Sequence, residues 1–209
     1  MSSTRHLRAV VALILASASL PVAAVPDMPV PETAPVAAGP EGMMKARLAY
    51  NVGYEDYEKA QRLEMEAGSL PPAKARDYAG RIAAGYSAAR DRFAEATEAD
   101  PSQKQGWNML GFTRRKLGDF GGALAAYDKA LALDPDYPEA TEYRAEALLA
   151  LGRLEEVKAA HQRLRSLDAA YAATLRDAAG RWLADRRKSP GGVPAADLDA
   201  LEAWLAAAR

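Results

Sequence analysis

Residues 107–135, WNMLGFTRRKLGDFGGALAAYDKALALDP, are mostly helix-forming sequence, yet they hold four glycines. Gly111 stands in the middle of a helical pattern, where glycine costs about 1 kcal/mol relative to alanine. Such a residue is useful where another backbone must come close. Gly118 then suits a left-handed helix end, and a second helical pattern follows to the breaker Pro135. Two antiparallel helices are expected, with Gly111 on the first meeting Ala123 on the second. Helix axes can approach to about 8–10 Å. Trp107, Leu110, Phe120 and Tyr127 would then bury around the contact. Each contributes about 1.5–3 kcal/mol, which outweighs the local penalty. Beyond the breaker, Pro138 and Glu139 suit the first turn of a next helix. Nothing local explains both Gly121 and Gly122.

The same features recur along the chain at a period of 34 residues. Ala89, Ala123 and Val157 fall in step, as do Phe93, Tyr127 and His161, and Ala96, Ala130 and Leu164. Asp100-Pro101 returns as Asp134-Pro135 and fades to Asp168-Ala169. A fixed period of this length marks stacked supersecondary units. Trp107, Leu110, Gly111, Gly118, Phe120, Ala123, Tyr127, Ala130 and Pro135 stand in an order that resembles the tetratricopeptide repeat (TPR), a pair of antiparallel helices. The resemblance covers residues 104–137 nearly completely, with Arg114 in place of the usual aromatic. Residues 138–171 match more loosely through Ala145, Leu148, Gly152, Val157 and Leu164. It implies an all-α fold: a short right-handed superhelical solenoid of TPR-type hairpins, with an elongated first hairpin and C-terminal capping helices.

The elongation follows from spacing. If Gly53 plays the part of Gly111, its partner is Ala89, 36 residues on instead of 12. The excess surrounds the turn GSLPP at 68–72, while Tyr78, Ile82, Tyr86, Ala89, Phe93 and Ala96 keep helical spacing straight through. Both helices of this unit are therefore expected to be longer by about 12 residues, or about 18 Å at 1.5 Å per residue. The projecting part carries Glu58, Lys59, Arg62, Glu64, Glu66, Lys74, Arg76 and Asp77, read as a solvated surface, with Leu63 and Met65 as apolar exceptions. At the other end, Tyr171–Arg187 and Ala196–Ala208 read as amphipathic helices either side of KSPGGVP. Capping the exposed end of the array is their expected role. The alternative is that the last helix, hinged at Gly191-Gly192, lies in a groove or joins a second molecule.

The chain opens with a basic start (Arg5, His6, Arg8) and an apolar run, Ala9–Leu20, too short to span a bilayer. Val22 and Ala24 follow as small residues suited to a cleavage site. A signal peptide over 1–24, cleaved after Ala24, is expected, giving a periplasmic or secreted bacterial protein; an uncleaved anchor is the alternative. Cleavage moves the net charge from −1 to −3 by removing two arginines. A linker over 25–43, with five prolines, follows. The repeat domain spans 44–188 (units 44–103, 104–137 and 138–171, then a cap over 172–188), and 189–209 form the hinge and last helix.

Composition narrows the function. There is no cysteine, so thiolate chemistry, disulfides and lipidation at a cysteine are excluded. The 27 basic residues are scattered, unlike the basic face of a nucleic-acid binder. No phosphate-cradling loop, nucleophile turn or metal-ligand spacing occurs. His161 occupies the register of Phe93 and Tyr127 and reads as a packed ring. Glu142 and Glu146, four apart, read as a solvated acidic face. No enzyme, cofactor or metal is expected.

A binding surface remains. The resemblance implies that the first helix of each pair lines a groove for an extended peptide or a helix. Carried over by position, the groove holds Gln105, Asn108, Phe112, Arg115 and Lys116 from one unit, with Phe112 as apolar anchor. Glu139, Glu142 and Glu146 come from the next. Relatives that clamp a C-terminal carboxylate use Asn with Lys or Arg on successive first helices. The glutamates in the third unit argue against that ligand and for one of mixed charge. The expected role is an exported adaptor or scaffold for an unidentified protein or peptide partner, with no stable membrane insertion after cleavage. The alternative is a homo-oligomer built through the long hairpin or the last helix.

Overall fold

A computed structural model describes residues 38–208. The expected signal peptide over 1–24 and most of the expected linker over 25–43 lie outside the described residues. The chain divides into two compact units, one ending at Asp119 and one beginning at Phe120. Among the described residues both are helical, with no strand.

The first unit holds α1 (Pro40–Gly68), α2 (Pro72–Ala99) and α3 (Lys104–Lys116). α1 begins at Pro40, inside the stretch read as linker to 43, because Pro at the first helical position is preset for the helix and loses no needed donor. α1 and α2 run to 29 and 28 residues, against 13 for α3, so the first hairpin is long as the spacing implied. Their seam is built from small residues seven apart. Ala46, Gly53, Ala60 and Ala67 on α1 are buried, as are Ala75, Ile82, Ala89 and Ala96 on α2. This is a heptad seam of the coiled-coil kind, here mostly of alanine and glycine, so the backbones close up. A Cβ at Gly85 would stand 3.0 Å from the Ala60 Cβ, and one at Gly53 would stand 2.9 Å from the Arg92 Cβ. Gly53 thus meets Arg92 and Phe93, about one turn beyond the expected partner Ala89. The seven-residue repeat sets the register of these long helices, and the crossing of a short pair does not transfer to them.

α3 packs on α2, with Gly106 close to the Thr97 methyl. Met109, Leu110, Phe112 and Thr113 are buried. Trp107, expected to bury around the Gly111 contact, is half-buried at the helix start, and its Nε1 donates to the Pro101 carbonyl at 2.9 Å. Gly118, at φ 82°, ends the helix. The Gly118 and Asp119 amides return to the Arg115 and Arg114 carbonyls, both at 3.0 Å. This pattern satisfies carbonyls that the helix leaves open.

The second unit holds α4 (Phe120–Leu133), α5 (Pro138–Ala150), α6 (Leu154–Leu167), α7 (Ala169–Lys188) and α8 (Ala195–Ala207). α4 and α6 each pack on α5, and α7 covers both α5 and α6. Its core holds Ala130, Tyr127, Ala145, Leu148, Val157, Leu164, Leu175 and Ala179. Gly152, at φ 72°, repeats the helix ending of Gly118, with Arg153 N–H returning to the Leu148 carbonyl at 2.9 Å. Asp168 caps α7 by accepting from the Ala170 and Tyr171 amides at 2.8 and 3.4 Å.

α8 folds back onto α7 after Gly191 and Gly192, both at positive φ. Arg187 joins Asp199 at 2.6 Å and Glu202 at 2.7 Å across this hairpin. Trp204 meets His161 edge to face at 5.0 Å. His161 is thus a packed ring, 5% exposed, and burial, followed by the charges of Arg165 and Arg176, lowers its pKa.

Candidate partner-binding surface

Within the first unit, α1 presents Tyr50, Tyr54 and Tyr57 at helical spacing, on a face distinct from its small-residue seam. Ring contacts link these tyrosines to the neighbouring helices. Tyr50 and Tyr54 stack with centroids 6.2 Å apart, Tyr54 and Tyr57 stand 5.4 Å apart, and Tyr57 meets Phe112 of α3 edge-on at 5.3 Å. Tyr50 also contacts Phe93 at 5.4 Å, and Tyr86 lies 6.3 Å from Phe112. Such pairs add about 0.5–1.5 kcal/mol beyond the area they bury. The row is graded in exposure: Phe93 and Tyr86 are core, Tyr50 and Tyr57 are half-buried, and Tyr54 is 41% exposed. A rigid aromatic row with an open end suits contact with apolar groups of a partner.

A polar cluster anchors the far end of this row. The Tyr86 hydroxyl donates to Glu64 Oε2 at 2.6 Å, and Lys116 Nζ pairs with Glu64 Oε1. Both charged side chains are largely shielded, 17% exposed for Lys116 and 13% for Glu64. Lys116 also lies 5.2 Å from the Tyr86 ring centroid, and the Arg115 guanidinium lies 5.1 Å from that of Phe112. Burial first, and then the Glu64 charge and hydrogen bond, push the Tyr86 phenol well above its ordinary pKa, so it stays a donor. The cluster ties α1, α2 and α3 together at one level.

The expected groove residues divide accordingly. Gln105 is exposed and free to meet a partner. Asn108 is 1% exposed and Phe112 is 6% exposed, so neither ring nor amide stands open. Phe112 serves as the floor of the aromatic row, because Tyr57 from the lengthened helix covers it. Arg115 and Lys116 are half-buried, with Lys116 committed to Glu64. Glu64, read as part of a solvated arm, is therefore a structural group. On α5, Glu139 and Glu146 are half-buried, whereas Glu142 is fully buried, which removes it from any solvated acidic face. The three tyrosines of α1 are absent from the expected set. Their spacing of four and three residues in YNVGYEDY, 50–57, could have disclosed them.

A sequence profile described as TPR repeat matches residues 111–152. Residues 111–152 carry the tetratricopeptide-repeat pattern. Over 100 residues it is 37% identical to the Hsp70-Hsp90 organizing protein of Triticum aestivum, a match covering 46% of this chain and 17% of that protein. The chain thus spans under a fifth of that relative's length. Two solved structures share the fold. The Arabidopsis OM64 TPR domain superposes with a TM-score of 0.51 at 16% identity, covering 65% of this chain and 94% of that one. The first TPR of Spaghetti (RPAP3), bound to an HSP90 peptide, superposes with a TM-score of 0.52 at 21% identity, covering 69% of this chain and 96% of that one.

Proposed function

We propose that this chain is a non-enzymatic adaptor that receives a segment of a partner protein on the aromatic face of α1 and α3. The observation that carries the proposal is the ring row ending in exposed Tyr54, held rigid from below by Phe112 and Phe93. Preorganised rings lose little freedom on binding. The names of the similar proteins support the reading: one is an organizing protein for two chaperones, and one TPR was solved with a peptide bound. The ligand proposed here is an internal segment with an apolar side chain for Tyr54. A free carboxylate terminus is disfavoured, since Glu139 and Glu146 of α5 stand where the resemblance calls for amide or positive groups. The leader points to export, so the partner is sought in a bacterial cell envelope.

An array of tiled peptides from envelope proteins, followed by calorimetry, tests the binding role. Tyr54→Ala should weaken the selected peptide at least tenfold while circular dichroism shows the helices intact. An array without a binder, or equal affinity for both proteins, defeats the proposal. Export has its own readout: the mature amino terminus should begin at Val25, and an intact Met1–Ala24 segment on cell-fraction protein contradicts it.

A further inference from the structure

α1 carries a second seam, facing away from the first. Glu41, Lys45, Leu48, Val52, Glu55 and Lys59 alternate four and three residues apart, the spacing of a heptad seam. All six are exposed, Leu48 at 62% and Val52 at 38%. Met44, one turn before Leu48, is exposed at 52%. Large apolar side chains grouped on an outer helix face mark an interaction surface.

The order of charges along this seam says what fits it. Written forwards the seam reads Glu, Lys, Leu, Val, Glu, Lys. Laid antiparallel against a copy of itself and centred on residue 50, every layer is complementary. Glu41 faces Lys59 of the second copy, Lys45 faces its Glu55, and Leu48 faces its Val52; the twofold axis repeats all three. A parallel copy would instead set Lys45 against Lys45 and Glu55 against Glu55. Like charges placed opposite one another select against that arrangement. Within the chain these groups have only loose ties: Lys45 lies 3.8 Å from Glu95, and Lys59 pairs with Asp56 one turn away at 3.1 Å. Both lysines are well exposed, at 64% and 59%, and can re-aim.

We infer that the outer face of α1 docks a second copy of this chain, antiparallel, through Leu48 and Val52 flanked by Glu41–Lys59 and Lys45–Glu55 pairs. The helix is about 43 Å long at 1.5 Å per residue, so the contact extends over several turns. Its apolar centre is small and its ion pairs are exposed, so the dimer is weak and loosens in high salt.

Sedimentation velocity of the full chain over a wide concentration range tests this. The wild type should dimerise reversibly, and Leu48→Asp should weaken the dimer at least tenfold. Lys45→Glu and Glu55→Lys should each weaken it alone. An equimolar mixture of those two should form heterodimers, because the mixed pair restores both contacts, and the double variant should recover wild-type assembly. All three positions are exposed, and circular dichroism confirms that each variant folds. A wild type that stays monomeric overturns the inference. So does a dimer indifferent to Leu48→Asp, which would assign assembly to α8 or to the apolar leader run. Failure of the charge swap to rescue overturns the antiparallel register. Binding of the monomer to lipid vesicles through Leu48 would assign the face to a membrane surface instead.

Discussion

Two glycine-to-alanine substitutions in the long hairpin should have unequal effects. Gly53 and Gly80 both lie inside long helices, so alanine at either position improves helix propensity by about 1 kcal/mol. At Gly80 a Cβ meets nothing within 4 Å. At Gly53 it would stand 2.9 Å from the Arg92 Cβ and 3.1 Å from the Phe93 ring. Neither obstacle is a flexible tip: one is the first side-chain carbon of α2, and the other is a fully buried ring. Relieving the overlap requires α1 and α2 to separate, which costs about 1–3 kcal/mol in a well-packed seam. The propensity gain is common to both variants and cancels in their difference. Gly80→Ala should therefore stabilise by about 1 kcal/mol, and Gly53→Ala should lie about 1–3 kcal/mol below it. For a chain of this size, each 1 kcal/mol corresponds to about 2–4 °C of melting temperature. Thermal and urea unfolding followed by circular dichroism measure the gap. Equal stabilisation by both substitutions would show that the backbones do not close at Gly53, and the heptad seam would fall with it.

Other consequences are as direct. Glu64→Gln should destabilise by about 1–3 kcal/mol, since it strips a shielded ammonium of its charged acceptor; a double-mutant cycle with Lys116→Met that returns no coupling would refute the pairing. Gly152→Ala should cost about 1–2 kcal/mol, because the position needs φ 72°, and unchanged urea denaturation would remove the helix-end assignment. His161 supplies a pH dependence. Its folded pKa lies below the ordinary 6.5, so the unfolded chain binds its proton more readily. Its contribution is whole above pH 6.5 and is lost as pH falls through the lower, folded value. The melting temperature should therefore fall as the pH drops below about 6.5, before the carboxylates begin to titrate. His161→Phe, which restores the ring type of the period, should flatten that slope; an unchanged slope would place the titrating group elsewhere.

Much of the fold was legible in the residues because much of it is local. Helix ends at Gly118 and Gly152, the cap at Asp168 and the start at Pro138 are settled by atoms within a few positions of each other. The period of 34 shows through because each unit repeats the same burial demand. The lengthened hairpin could likewise be counted from the displaced turn at 68–72. Its register could not be transferred from the short units, since a seven-residue repeat of alanine and glycine governs it. That repeat was also in the sequence, at Ala46, Gly53, Ala60 and Ala67, beneath the longer period.

The binding surface was less legible, and the reason is physical. A helical position states which side of its own helix a residue occupies, not what covers that side. Phe112 sits where an open anchor is expected, yet Tyr57 of a helix far upstream closes over it. Lys116 looks like a rim charge until Glu64, 52 residues away, neutralises it. Glu142 has the sequence context of a surface acid and is fully buried. The amino-acid sequence by itself determined the helices and their ends, because short-range hydrogen bonds and apolar periodicity suffice for those. Which side chains stay in water was decided only in three dimensions, because burial depends on neighbours that the chain brings from far away.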